Sequence, residues 1–279
     1  LVIKFPSDTI KKFNLSNSLS VVTGGSGLLG IKHVEALLDA DSDVVVLDIN
    51  ESEFAKHAAS IHNKYNKEVT FIQCDIGNED SVIAAKNNIY KIYNKYPDIL
   101  VNNAAIDAKF DQSSNVKDSR LEYFSLDRWK KELSVGLTGT FICCKIFGEQ
   151  MSIKRKGIIV NIASHYGLVG PDQRIYGIKD DVQEVKPVSY PVVKHAVIGL
   201  TRYLATYWAK NNIRCNALAP GGVFNNHDDN FVRKFCDLVP MNRMAEPDEY
   251  KASLLYLCSD GSSYMNGEVL VVDGGLTAW

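Results

Sequence analysis

The sequence predicts an α/β fold: a doubly wound, seven-stranded parallel sheet with helices on both faces. Three observations carry this. Short β-branched runs alternate with amphipathic stretches along most of the 279 residues. Those runs are apolar throughout rather than at every second position, the pattern of strands covered on both faces. No internal repeat and no Gly-, Pro- or Ser-rich linker divides the chain, so residues 1–279 are expected to form a single domain.

The elements follow in order. "LSVVT" (19–23) is the first strand, and it runs through a glycine turn into a helix over "LLGIKHVEALLDA" (28–40). "DVVVLD" (43–48) is the second strand, followed by a helix near 52–65. "VTFIQC" (69–74) precedes a helix near 79–95, and "DILVNN" (98–103) precedes a long helix near 127–153. "GIIVNIAS" (157–164), a helix over 188–211, "IRCNALAP" (213–220), a helix near 247–259 and "EVLVVDGG" (268–275) complete the alternation. Strands separated by helices of this length give parallel pairing. Two segments break the pattern, 165–188 and 222–246. Both follow the carboxyl ends of strands, where open parallel sheets bind ligands, so both are expected on the substrate side.

Composition narrows the function. A net charge of −2 without a basic run excludes an electrostatic nucleic-acid footprint and attraction to an anionic membrane surface. No stretch reaches the apolar length that spans a bilayer, and "LVIKFPSDTIKKFNL" lacks the apolar core of a secretory leader. The cysteines at 74, 143, 144, 215, 236 and 258 form no C-x-x-C, and the six histidines are dispersed. Neither a zinc site nor a disulfide framework is expected; buried free thiols in the cytoplasm are.

"TGGSGLLG" (23–30) joins a strand to a helix start, where free N–H groups and the helix dipole suit a pyrophosphate. Asp48 ends the second strand 18 residues after Gly30 (48 − 30). A carboxylate there can accept from both ribose hydroxyls and repels a 2′-phosphate. Positions 49–50 hold no Arg or Lys, so NAD is favoured over NADP. The alternative use of Asp48 is to cap the next helix. Further on, "SYPVVKHAVIGL" (189–200) sets Tyr190 and Lys194 one above the other on a helix face. A cation beside a phenol favours phenolate and equips the tyrosine to exchange a proton.

With these pieces the chain resembles the short-chain dehydrogenase/reductase family over nearly its whole length. The resemblance rests on "TGGSGLLG", "CDI" (74–76), "LVNNAA" (100–105), "IVNIAS" (159–164), "YPVVK" (190–194), "NALAPGG" (216–222) and "VVDGG" (271–275), all in the family's order. It implies a Rossmann-type fold and a catalytic Ser164, Tyr190 and Lys194, with Tyr190 as general acid/base. Lys194 would lower the Tyr190 pKa and hold the nicotinamide ribose, and Ser164 would hydrogen-bond the reacting oxygen. The cofactor set it implies comprises Gly24, Ser26, Gly27, Leu28 and Leu29 at the turn, and Asp48 and Ile49 at the ribose. Asp75 and Ile76 would stand at the adenine, with Asn103, Ala104 and Ala105 beyond the fourth strand. Tyr190, Lys194, Pro220, Gly221 and Val223 would surround the nicotinamide end, and Asn102 would support the sheet nearby. "GLTGTF", "GPDQRIY" and "RYLATYWA" look like a subgroup associated with bacterial surface or flagellar sugar biosynthesis. The family's usual homodimers or homotetramers are expected here too, through the helices near 127–153 and 188–211.

The chain departs from the family in four places. Leu28 stands where the turn usually has its middle Gly, and Asn225 replaces a Thr after Pro-Gly. Gly136 stands where the family carries a relay Asn, which implies either a relay through water or a catalytically silent dinucleotide sensor. Finally, Ser164 and Tyr190 are 26 residues apart (190 − 164), about twice the family's spacing, and the extra length falls in 171–186. Long loops in compact domains are commonly functional, so Arg174 and Tyr176 are expected to border the substrate pocket with His165 and Asn225. The expected activity is hydride transfer between NAD and a secondary alcohol or ketone of a polar substrate, such as a sugar, polyol or sugar phosphate. A 3-oxoacyl thioester is the alternative.

Overall fold

The computed structural model describes residues 8–106, 116–179 and 181–279. A short helix α1 (Asp8–Lys11) leads to β1 (Leu19–Thr23), which feeds α2 (Leu28–Asp39). β2 (Asp43–Asp48), α3 (Glu51–Tyr65), β3 (Thr70–Gln73), α4 (Glu79–Tyr93) and β4 (Ile99–Asn102) follow. After α5 (Leu126–Leu133), a π-helical turn over Ser134–Gly139 runs into α6 (Thr140–Lys154) and β5 (Gly157–Ile162). A two-stranded hairpin, β6 (Ile178–Lys179) and β7 (Val182–Gln183), precedes α7 (Ser189–Tyr207) and β8 (Ile213–Pro220). The chain ends through α8 (Asp229–Cys236), α9 (Lys251–Cys258) and β9 (Val269–Val272).

Seven of these strands form a parallel sheet in the order β3-β2-β1-β4-β5-β8-β9, a Rossmann-like α/β fold. Neighbouring side chains along a strand enter opposite layers. Val22, Val46, Val101 and Val160 pack with Val34, Leu37, Leu254 and Leu257 of α2 and α9. Val21, Val45, Leu100 and Ile159 pack with Val82 and Ile89 of α4 and Ile142, Phe147 and Met151 of α6. Double coverage is the physical reason for the unbroken apolar strands.

Register brings the carboxyl ends of the strands to one edge: Thr23 pairs with Asn102, Asn102 with Asn161, and Pro220 with Val272. The strand order reverses between β1 and β4, and side chains stitch that point together. The Thr23 hydroxyl accepts from the backbone N–H of Asn103 and Ala104 at 3.0 and 3.1 Å. Asn103 Nδ2 in turn donates to the carbonyls of Thr23 and Gly24. Asn102, expected to support the sheet here, is buried and donates to Asn161 Oδ1 at 2.8 Å.

The two irregular segments acquire structure by packing on each other. The 165–188 segment forms 3₁₀ turns and the hairpin, tied by Gln183 Nε2 donating to the carbonyls of Gln173 and Tyr176. The 222–246 segment contains α8, whose first turn is capped by Asp228 accepting from the Phe231 N–H at 3.0 Å. Ile175 and Tyr176 are buried against Phe235, Val239 and Met244. Together the two segments make a roof over the carboxyl edge. No described helix is long and apolar enough to cross a membrane.

Candidate active site

A cleft of about 1470 Å³ lies along the carboxyl edge. Its floor begins at the glycine turn. Gly24 has φ +62°, and a Cβ there would meet Ala104 Cα at 2.7 Å, while one on Gly30 would meet the Gly24 carbonyl oxygen at 2.1 Å. Only Cα hydrogens fit at these two outer positions. Leu28 sits at the open middle as the first residue of α2, so the departure from the family's turn is accommodated without a clash. The N-termini of α3, α4, α5 and α8 are capped by Asn50, Asn78, Ser125 and Asp228 side chains. α2 has no side-chain cap and opens on the cleft, an arrangement that fits an anion.

Asp48 stands beside this turn. Its two oxygens accept from the backbone N–H of Ser26 at 3.0 Å and of Asn50 at 3.1 Å. The cap of α3 is Asn50, so Asp48 is not spent on that helix. Glu53 shares this end of the cleft, and positions 49 and 50 carry no Lys or Arg. Ser26, Gly27, Leu29, Ile49, Asp75, Ile76, Asn103, Ala104, Ala105, Pro220, Gly221 and Val223 also line the cleft. Asp75 folds back to accept from the Gly77 N–H at 2.9 Å, and Gly221 donates to the Val272 carbonyl at 2.8 Å.

Ser164, Tyr190 and Lys194 converge at the other end. Ser164 is buried just past β5, and its hydroxyl accepts from the Tyr166 N–H at 3.2 Å. Lys194, also buried, donates to the Ile162 carbonyl at 2.8 Å, which places its ammonium 5.6 Å from the centre of the Tyr190 ring. Tyr166 meets that ring edge-on at 6.4 Å. His165 is buried with Nδ1 3.2 Å from the Pro220 carbonyl, so Nδ1 carries the proton; Nε2 has no partner among the described residues. Burial holds the imidazole near a pKa of about 4, hence neutral.

Among the residues expected to contact substrate, His165, Tyr176 and Asn225 line the cleft. Arg174 does not. Its side chain is 87% exposed, and Asp172 grips the guanidinium, Nε to Oδ1 at 2.8 Å and Nη2 to Oδ2 at 2.5 Å. Ile175 and Tyr176 turn inward, and the short 3₁₀ turn leaves Arg174 outward. The insertion instead contributes Lys186, whose Nζ lies 4.2 Å from the centre of the Tyr190 ring. Its place four residues before Tyr190 was the available signal. Phe231, Phe235 and Met244 roof the cleft and carry no motif at all.

Gly136 lies inside the π-helical turn. A Cβ there would fall 2.7 Å from Val193 Cγ1, so Val193 fills the place directly over it, and the space expected beside a missing side chain lies elsewhere. A small cavity of about 10 Å³ is lined by Gly136, Glu132, Ser189, Tyr190 and Lys194. Gly136→Asn is expected to cost about 1–3 kcal/mol through overpacking. Thermal unfolding checks this, and an unchanged melting temperature would show that Val193 yields freely.

Comparison with known proteins agrees with this architecture. Residues 27–277 match the family described as Enoyl-(Acyl carrier protein) reductase. The chain is 31% identical over 269 residues to the 3-oxoacyl-[acyl-carrier-protein] reductase FabG of Aquifex aeolicus, covering 95% of this chain and 99% of that one. It is 30% identical over 272 residues to an NAD-dependent glycerol dehydrogenase of Listeria innocua, covering 96% of each. A gluconate 5-dehydrogenase from Burkholderia cenocepacia, solved with NADP and tartrate, superposes with a TM-score of 0.82 at 26% identity, over 96% of this chain and 98% of that one. The matched profile, the relatives and the sheet order together place the chain in the short-chain dehydrogenase/reductase family of oxidoreductases.

Proposed function

We propose that this chain is an NAD-dependent oxidoreductase acting on a secondary alcohol or ketone of a polar substrate, a sugar, polyol or sugar phosphate. The observation that carries the reading is the convergence of Ser164, Tyr190 and Lys194 on a cleft whose far end holds Asp48 and the uncapped start of α2. The glycine turn and α2 would hold the pyrophosphate, Asp48 the adenine ribose, and Lys194 the nicotinamide ribose. When bound, the nicotinamide supplies or accepts the hydride. Tyr190 takes or returns the hydroxyl proton, Ser164 donates to the reacting oxygen, and Lys194 beside the ring favours the phenolate. His165 Nε2, His227 and Asn225 offer polar contacts, which supports a hydroxyl-rich substrate, as do the glycerol and gluconate relatives.

The whole chain serves as one such domain. Exposed Phe141 on α6 and Tyr203 and Tyr207 on α7 support assembly into homodimers or homotetramers. Six free cysteines suit a reducing cytoplasm. The test is NADH formation across a panel of sugars, polyols and sugar phosphates, with a 3-oxoacyl thioester run in the reductive direction. Turnover on polyols or sugars supports the reading; turnover on the thioester alone transfers it to an acyl reductase, which the apolar roof of Ile175, Phe231 and Phe235 would suit.

Cofactor choice follows from Asp48. At least tenfold preference for NAD is expected, on the order of 1.4 kcal/mol. Asp48→Ala removes the repulsion of a 2′-phosphate and narrows the gap. Equal kcat/KM with both cofactors in the unaltered protein would show that Asp48 does not select.

A further inference from the structure

Each turnover leaves Tyr190 with one proton too many or too few. In the proposed reading substrate and nicotinamide occupy the cleft side of the ring, which leaves its other side for a proton route. α5 carries the charged run "RWKKEL" (128–133), in which Lys130 and Lys131 face solvent and Glu132 does not. The Glu132 side chain is 6% exposed. A buried carboxylate is costly and persists only when paired and hydrogen-bonded. Here Oε1 accepts from Arg128 Nε at 2.7 Å, and Oε2 accepts from the hydroxyl of buried Ser189, the residue before Tyr190.

Glu132 also borders the small cavity behind the active site, together with Gly136, Ser189, Tyr190 and Lys194. Its volume of about 10 Å³ is close to the minimum for one water. Glu132, Ser189, Tyr190 and Lys194 are the polar residues on a wall otherwise formed by Ala105, Ile106, Gly136 and Val193. The π-helical turn over Ser134–Gly139 starts two residues after Glu132 and brings Gly136 to the same wall. Arg128, 32% exposed, marks where the path reaches the surface.

We propose that Glu132, bridging Arg128 and Ser189 behind the active site, is the positioning and relay group that passes protons between Tyr190 and solvent through one water. This rests on the oxidoreductase reading. In alcohol oxidation the Tyr190 phenolate takes the substrate hydroxyl proton. The resulting phenol gives a proton to the water while that water gives one to the Glu132 carboxylate, which releases it to solvent beside Arg128. No electrons move on this path, and reduction runs it in reverse. Arg128 holds Oε1 and Ser189 holds Oε2, which fixes the carboxylate beside the cavity.

The test compares the unaltered protein with Glu132→Gln, Glu132→Asp and Ser189→Ala. Gln keeps the shape but cannot carry the proton. The expectation is a fall in kcat of about tenfold or more, with KM for NAD within about twofold. The solvent deuterium isotope effect on kcat should rise, and added formate buffer should restore the rate in proportion to its concentration. Glu132→Asp should keep more activity than Gln, and Ser189→Ala should show the same isotope signature even if Gln fails to fold. An unaltered kcat and isotope effect in both Glu132→Gln and Ser189→Ala would overturn the relay. So would a fall in kcat that formate does not rescue and that tracks a lower melting temperature, since Glu132 would then only brace α5 against α7. A wild-type protein without turnover overturns the oxidoreductase reading and the relay with it, whereas an active wild type matched by its variants overturns the relay alone.

Discussion

Tyr190→Phe should lower turnover by roughly 10² or more, the scale of general acid–base catalysis, and leave cofactor affinity within about twofold. The substitution removes one oxygen and little else. The ring keeps its edge-on contact with Tyr166 at 6.4 Å and the Lys186 ammonium over its face at 4.2 Å. Lys194 keeps its hydrogen bond to the Ile162 carbonyl, so the group proposed to hold the ribose stays in place. What is lost is the group proposed to exchange a proton with the substrate. Steady-state kinetics with cofactor binding by fluorescence check both halves. A Phe variant with near-native turnover would reduce Tyr190 to a packing residue.

Acid sensitivity is the second large effect, and it comes from two histidines. His33 is fully buried in α2 with neither ring nitrogen partnered among the described residues, and burial lowers its pKa from 6.5 to about 3. His165 is lowered to about 4, also chiefly by burial. Both folded-state values lie below the unfolded one. Between them the unfolded chain binds more protons, and stability falls as pH drops below about 6.5. From pH 7 to pH 5 each histidine should cost about 2 kcal/mol. Against a typical stability of about 5–15 kcal/mol, a joint loss of about 4 is large. The down-shifted carboxylates Asp39, Glu122, Asp172, Asp273 and Glu249 lose their contribution only at lower pH, which leaves this window to the histidines. Urea unfolding at the two pH values measures the loss, and His33→Leu should remove about half of it. Equal stability of the unaltered protein at both pH values would contradict the burial argument.

The parts of the molecule that were legible in the sequence share a physical cause. β1, β2, β4 and β5 are buried on both faces, so their residues had to be apolar whatever their neighbours were. Tyr190 and Lys194 stand one helical turn apart, and Ser164 follows β5 at the carboxyl edge, where open parallel sheets bind ligands. The 222–246 segment hid α8 because "NNHDDN" is polar and the helix is only eight residues long, held by Phe231 and Phe235 against the insertion. Arg174 drew attention by its charge, yet Asp172 two residues earlier already satisfies it at the surface. Glu132 escaped for the opposite reason. It sits in a charged run, and only the approach of α7 through Ser189 buries it. Pairings between distant segments leave no periodic trace in the chain.

In the proposed function this cleft transfers hydride between a substrate carbinol carbon and NAD with Tyr190 as the proton partner. The most direct measurement uses the substrate found in the polyol and sugar panel, deuterated at the reacting carbon, incubated with NAD and the protein. Mass spectrometry of the reduced nicotinamide then reads where the label goes. Deuterium is expected on the nicotinamide with the native protein, and strongly slowed labelling with Tyr190→Phe. Reduced cofactor without label, or equal labelling by the Phe variant, would contradict it.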